Sequence, residues 1–262
     1  MGRIAVPLTK DDLRRALRKQ EFVVHYQPQV DIASGKITGS EALVRWEMPG
    51  VGLVPPLDFI PLAEQTGFIV PIGEWVLRTS CQQLREWEKA GLPRMTVAVN
   101  LSARQFQQQD LATQIAEALQ KTGLAPHQLD LEITESHAMQ DADFTLSVFH
   151  DLQLMGVRIS IDDFGTGYSS LGFLKQFPIN TLKIDRSFVK DLGRDPKDEA
   201  IVSAIIVLAH RLGLDVVGEG VETATELEIL RKHQCNRMQG FYFSKPLAAA
   251  DFEALLRSGK TL

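Results

Sequence analysis

Eight short β-rich runs alternate with amphipathic helical stretches along almost the whole chain, and this alternation is what most limits the folds open to it. The runs cover residues 22–30, 37–46, 96–101, 129–134, 158–163, 181–185, 215–219 and 238–243. After a first helix over residues 11–19, helical periodicity occupies 74–90, 103–122, 144–155, 199–212 and 224–233. Strands that alternate with helices build a parallel sheet, and eight of them in 262 residues predict a TIM (β/α)8 barrel. One connection departs from that pattern. The first strand reaches the second through Asp31-Ile-Ala-Ser-Gly-Lys36, a turn too short for the crossover that parallel neighbours need. The first strand is therefore expected to run antiparallel, which makes the barrel a modified one.

A hydrophobic fraction of 44% is enough for one large core, and no linker divides the chain internally. Residues 1–10 read as a linker and 11–262 as one domain. A net charge of −5 and a pI near 5.7 exclude the basic field with which proteins hold DNA or RNA polymers. Two cysteines, Cys81 and Cys235, do not make a disulfide framework. No signal peptide and no apolar run of membrane length is visible. A cytoplasmic location is expected, either free or as the cytoplasmic module of a membrane-anchored parent.

The C-terminal strand ends of such a barrel form its active face. Here they carry Glu41, Asn100, Glu132, Asp162, Asp163, Lys183, Glu219 and Gln239. Taken singly, an acidic strand end is more often a helix cap or a solvated loop residue. Taken together, these residues suit one polar cavity. Two carboxylates 4 Å apart repel by about 4 kcal/mol at an effective dielectric near 20. Several converging carboxylates must therefore hold protons or be neutralised by divalent cations, since one lysine is insufficient. An all-oxygen donor set without His suits Mg²⁺ or Mn²⁺ rather than zinc. The adjacent Asp162 and Asp163 offer a bridge between two ions, the arrangement used for in-line phosphoryl displacement. Such a site cannot exclude Ca²⁺ by ligand type, and the longer Ca²⁺–oxygen bonds make that ion an expected inhibitor. The glycines of Phe164-Gly-Thr-Gly-Tyr-Ser-Ser170 would let backbone approach a ligand or simply make a mobile loop.

Glu41-Ala-Leu-Val-Arg-Trp46 resembles the motif from which EAL domains take their name. The resemblance runs from about residue 13 to residue 256. It includes Tyr26-Gln-Pro28, Val99-Asn-Leu-Ser102, Glu132-Ile-Thr-Glu135, Asp162-Asp-Phe-Gly-Thr-Gly-Tyr-Ser-Ser170, Leu182-Lys-Ile-Asp185, Glu219-Gly-Val-Glu222 and Gln239-Gly240. Each motif is short, but their order and spacing together are specific. Two stretches depart from the usual family pattern, Leu53-Val-Pro-Pro-Leu-Asp-Phe59 and Gln234-Cys-Asn-Arg237, and neither touches a metal position.

The resemblance implies a metal-dependent bacterial phosphodiesterase that opens cyclic di-GMP to linear pGpG. It implies that Glu41, Asn100, Glu132 and Asp162 hold one metal ion, and that Asp162, Asp163 and Glu219 surround a second. Lys183 would orient or activate the attacking water, with Glu219 as a general-base candidate. Gln27, Leu43, Arg45, Asp185, Glu222 and Gln239 would line the substrate cleft. Glu135 would anchor the loop after the Asp pair, which in the family meets both the metal site and a dimer interface. A homodimer, as part of a larger sensor or signalling protein, is the expected assembly. Two other readings compete with this one: a catalytically silent EAL module that binds cyclic di-GMP without cutting it, and an unrelated enolase-type barrel enzyme. The filled ligand positions argue against the first. The absence of a second strand-end Lys or His base argues against the second.

Overall fold

A computed structural model describes residues 8–167 and 171–262. Residues 1–7 of the expected linker, and Tyr168, Ser169 and Ser170 of the glycine loop, lie outside the described residues. Among the described residues there are ten strands: β1 (Phe22–Asp31), β2 (Ile37–Met48), β3 (Gly52–Val54), β4 (Thr96–Asn100), β5 (Leu129–Thr134), β6 (Arg158–Phe164), β7 (Thr181–Ile184), β8 (Asp215–Glu219), β9 (Arg237–Gln239) and β10 (Leu247–Ala248). Eight of them close a barrel in the order β1-β2-β4-β5-β6-β7-β8-β9, with β9 returning to β1. β3 extends β2 as a short edge, and β10 pairs with β1 at His25 and Tyr26. The barrel is the expected modified TIM fold. β1 runs antiparallel to both neighbours, opposing Gln27 to Glu41 on β2 and Val30 to Met238 on β9.

The period-two pattern of the strands decides what lies inside and outside. On β5, Leu129, Leu131 and Ile133 face the helices and are essentially inaccessible, while Asp130 and Glu132 alternate with them. Ile159 and Ile161 on β6, and Leu182 and Ile184 on β7, repeat the pattern. The hydrophobic core is thus a shell between strands and helices. The usual barrel interior is packed with branched aliphatic residues. Here the middle of the barrel is polar. Its lower layer joins Ser160 to Asp130 at 2.7 Å, and Arg237 to Thr181 at 3.1 Å and Gln29 at 3.4 Å. Asp215 accepts from Arg158 at 3.3 Å and Arg237 at 3.5 Å.

Several helical boundaries differ from the periodicity. The first helix is Lys10–Lys19, because Thr9 and Asp12 form a reciprocal capping box that draws two of the expected linker residues into the domain. The stretch expected as one helix over 103–122 is two, Ala103–Phe106 and Leu111–Thr122. Phe106 and Leu111 are both buried, yet five residues at about 100° each leave them roughly 140° out of phase on one helix. The break at 107–110 turns both inward. Helix Pro56–Thr66 and the first turn of helix Ile69–Lys89 carry Pro61 and Pro71, which mask their periodicity although Pro56 and Pro71 sit in first turns. The last barrel strand was expected over 238–243 and stops at Gln239. Gly240 there passes so close beneath the Val221 backbone that no Cβ fits, and Tyr242 donates its N–H to the Val221 carbonyl at 2.9 Å.

The first helix is tied to β2 by one buried carboxylate. Glu21 accepts from Arg15 Nε at 3.2 Å and from the Trp46 indole at 3.0 Å. Trp46 is fully buried against Phe22 and Phe59. Glu21→Ala would strand that indole N–H without its acceptor, and an unsatisfied buried donor costs about 1–3 kcal/mol. A urea titration is expected to show that loss as a lower midpoint at unchanged slope. An unchanged midpoint would show that the indole has another acceptor.

Candidate active site

The parallel strands bring these side chains to one end as inward residues, four of them at or near the C-terminus of a short strand and Glu41 within the longer β2. Glu41 comes from β2, Glu132 from β5, Asp162 from β6, Lys183 from β7 and Glu219 from β8. Lys183 is 1% exposed and stands among four of these carboxylates. Its Nζ lies 2.7 Å from Glu219, 2.8 Å from Glu132, 3.3 Å from Asp162 and 3.7 Å from Glu41. Burial alone would lower the pKa of this ammonium, but Asp162, Glu132, Glu219 and Glu41 drive it well above its ordinary value. It is charged at any working pH.

The carboxylates divide by environment. Burial opposes ionisation of Glu41, yet Lys183, Gln239 and Asn100 outweigh it and hold its pKa below the usual range. Asn100 donates to Glu41 Oε1 at 2.6 Å, and Gln239 donates to the other oxygen. Burial pushes Glu132 well above the ordinary value, against the opposing pull of Lys183. Burial and the neighbouring Asp162 raise Glu219 to about 8. Burial, Asp162 and Asp185 raise Asp163 to about 6. One oxygen each of Asp162, Asp163 and Glu219 fall within 4.8 Å of one another, close enough to share a cation. Five carboxylates facing one ammonium are a donor set with the charge and hardness that a divalent cation needs.

Asp163 has φ 54°, in the left-handed region, and its N–H donates to Asp162 Oδ1 at 2.9 Å. That turn aims the two aspartates differently and disrupts the β6–β7 register between Ile161 and Phe164. Glu135, buried at the start of helix Glu135–Gln140, accepts from the N–H groups of Gly165 at 2.9 Å and Gly167 at 3.4 Å.

A cavity of about 240 Å³ opens over the ring, lined by Gln27, Glu41, Leu43, Asp162, Glu219, Glu222 and Gln239 among others. Gln27 accepts from Gln239 at 3.2 Å and donates to the Ser244 carbonyl at 3.3 Å. Two of the expected cleft residues stand apart from this cavity. Arg45 lines a second, more apolar crevice of about 310 Å³, which Asn100 also borders and which shares Leu43 with the first. Asp185 caps helix Arg186–Val189, accepting from Ser187 N–H at 2.9 Å. Sequence reasoning passed over Arg186, Gly220, Gly240 and Phe241, which also line the first cavity. The only signal was the position of Arg186 beside Asp185; its approach to Gly220 comes from loops distant in sequence.

The family model for the EAL domain matches residues 10–246. The bifunctional diguanylate cyclase/cyclic di-GMP phosphodiesterase MucR of Pseudomonas aeruginosa is 51% identical over 247 residues, which is 94% of this chain and 36% of that protein. The cyclic di-GMP phosphodiesterase PdeR of Escherichia coli is 43% identical over 242 residues, 92% of this chain and 36% of its own length. The chain thus spans about a third of these relatives. A solved structure described as the PaMucR phosphodiesterase in complex with c-di-GMP superposes with a TM-score of 0.90 at 50% identity, covering 92% of this chain and 98% of that one. With its barrel, its carboxylate ring and a family match over nearly its whole length, the chain belongs to the EAL domain family.

Proposed function

We propose that this domain hydrolyses one phosphodiester bond of cyclic di-GMP and releases linear 5′-pGpG. The observation that carries this reading is the ring of four carboxylates around Lys183, with Asp163 beside Asp162 and Glu219, open to a cavity with a second crevice across Leu43. The phosphodiesterases MucR and PdeR, similar over this same domain, support the substrate. No helix among the described residues is long and apolar enough to cross a membrane.

Glu41, Asn100, Glu132 and Asp162 would hold one Mg²⁺ or Mn²⁺, and Asp162, Asp163 and Glu219 a second. When bound, the ions would lower the pKa of water and neutralise charge building on the phosphoryl oxygens. Lys183 orients the attacking water and stabilises negative charge as it develops. Glu219, whose carboxylate lies 2.7 Å from the Lys183 ammonium, accepts the proton that the water loses. Water oxygen bonds to phosphorus as the bond to the 3′-oxygen breaks, and that oxygen takes up a proton. Gln27, Leu43, Glu222 and Gln239 contact the dinucleotide on one side and Arg45 on the other, with Asp185 at the rim. Ca²⁺ would bind the same oxygens and misplace the water. Exposed Leu171 and Phe173, just beyond the loop that Glu135 holds, support a homodimer contact there.

The primary experiment incubates the chain with cyclic di-GMP and Mg²⁺ or Mn²⁺ and separates products by chromatography. Conversion to pGpG, abolished by chelator, is expected. An intact substrate that still binds would move the domain to the silent class.

Protons and metal compete for the raised carboxylates. Affinity for Mn²⁺ should therefore climb between about pH 6 and about pH 8.5, as Asp163 and Glu219 lose their protons. The same shifts act on folding with the opposite sign. The folded state binds these protons more tightly than the unfolded chain. In chelator, stability should therefore fall as pH rises from the ordinary values of 3.8 and 4.5 through the raised ones of about 6 and about 8. Calorimetric titration and thermal melts measure both. A flat Mn²⁺ affinity across that range would mean that neither carboxylate holds a proton there.

Glu135 touches the loop that follows the metal aspartates. Removing such an outer hydrogen-bond partner typically costs about 10–100-fold in metal affinity or activity. Glu135→Ala is expected to weaken both together, and unchanged values of both would leave Glu135 a purely structural role.

A further inference from the structure

The cavity above the ring is walled by Glu41, Asp162, Glu219 and Glu222, and its lining contains one cation, Arg186. Cyclic di-GMP is a dianion, so an unbalanced carboxylate at this wall would repel it. Arg186 Nη2 meets Glu222 Oε1 at 2.7 Å, with both side chains about half exposed. The Glu222 backbone is already fixed, because its N–H donates to Glu226 Oε2 at 2.6 Å inside the capping box that Thr223 and Glu226 form. The ion pair with Arg186 then sets the carboxylate itself.

Gly220 gives an independent reason to treat this pair as built into the fold. It has φ +68°, and the Arg186 stem lies across it so closely that a Cβ at residue 220 would fall inside Cβ, Cγ and Cδ of the arginine. A side chain at 220 and an arginine in this place are mutually exclusive. The loop between Glu219 and Glu222 is shaped around the arginine.

We propose that Arg186 is a positioning residue for the nucleotide, holding the Glu222 carboxylate in place and cancelling its charge at the cavity wall. The proposal rests on the reading of cyclic di-GMP as substrate. A carboxylate held this way accepts from two donors side by side, and guanine offers two on one edge, N1–H and N2–H. Losing the arginine frees Glu222 to rotate and leaves its charge facing a dianion.

The test is a double-variant cycle on steady-state turnover in Mg²⁺, with the unaltered chain, Arg186→Ala, Arg186→Lys, Glu222→Ala and the Arg186→Ala/Glu222→Ala pair. Arg186→Ala should raise KM about fivefold, the upper range for one exposed ion pair, while kcat stays within about twofold. Arg186→Lys should recover part of the loss. In the double variant the arginine change should add nothing to the loss from Glu222→Ala, because its effect runs through that carboxylate. Arg186 is exposed, so thermal midpoints should match and separate this effect from a folding defect. No turnover by the unaltered chain would overturn the functional reading and this one with it. Turnover with KM unaffected by Arg186→Ala, or with losses that add in the double variant, would overturn this one alone.

Discussion

The ammonium of Lys183, within 3.7 Å of four carboxylates and shut off from solvent, is the interaction on which the rest of the structure depends. Bringing that many acids to one point in a medium of low dielectric is unfavourable unless charge is balanced, and an isolated buried lysine would be as costly. Each partner makes the other tolerable. The balance is incomplete by design of the residue set, since five acids face one base. Three of those acids relieve the excess by holding protons more tightly: Glu132 well above its ordinary value, Glu219 up to about 8 and Asp163 up to about 6. A site with surplus negative charge and adjustable protonation is one that divalent cations can enter by displacing protons.

The polar interior has a structural corollary. With Asp130, Ser160, Thr181 and Arg237 bonded in a lower layer, the barrel has little apolar packing along its axis. Cohesion comes from the outer shell, where Leu131, Ile161, Leu182 and Val216 meet the helices without exposure. The carboxylate ring is thereby mounted on a rigid wall that does not depend on the ring itself for its packing.

The strand sequences made much of this legible. Leu-Asp-Leu-Glu-Ile on β5 states both faces at once, and the five residues between β1 and β2 are too few for any parallel connection. The alternation also pointed to the residues of the ring, because an acid at an inward position has nowhere else to go. Features that come from loop meeting loop left no local trace. Nothing in Asp185-Arg186 says that the arginine will lie on Gly220, and nothing in Gln239-Gly240 says that the strand ends there against Val221. The break after Phe106 follows from two distant demands on the core, and helical periodicity read one helix at a time does not register it.

Reversing a single strand also changes where the polypeptide arrives. In an all-parallel barrel the first strand starts at the end away from the chemistry. Here Phe22 begins β1 opposite Trp46, at the same end as the carboxylates, so helix Lys10–Lys19 sits at the working rim. The path from that helix to Arg45 is three side chains long, Arg15 to Glu21 to Trp46, and never crosses the barrel. The strand this path reaches is the one that carries Glu41, Leu43 and Arg45, so the entry of the domain and its carboxylate ring share one strand.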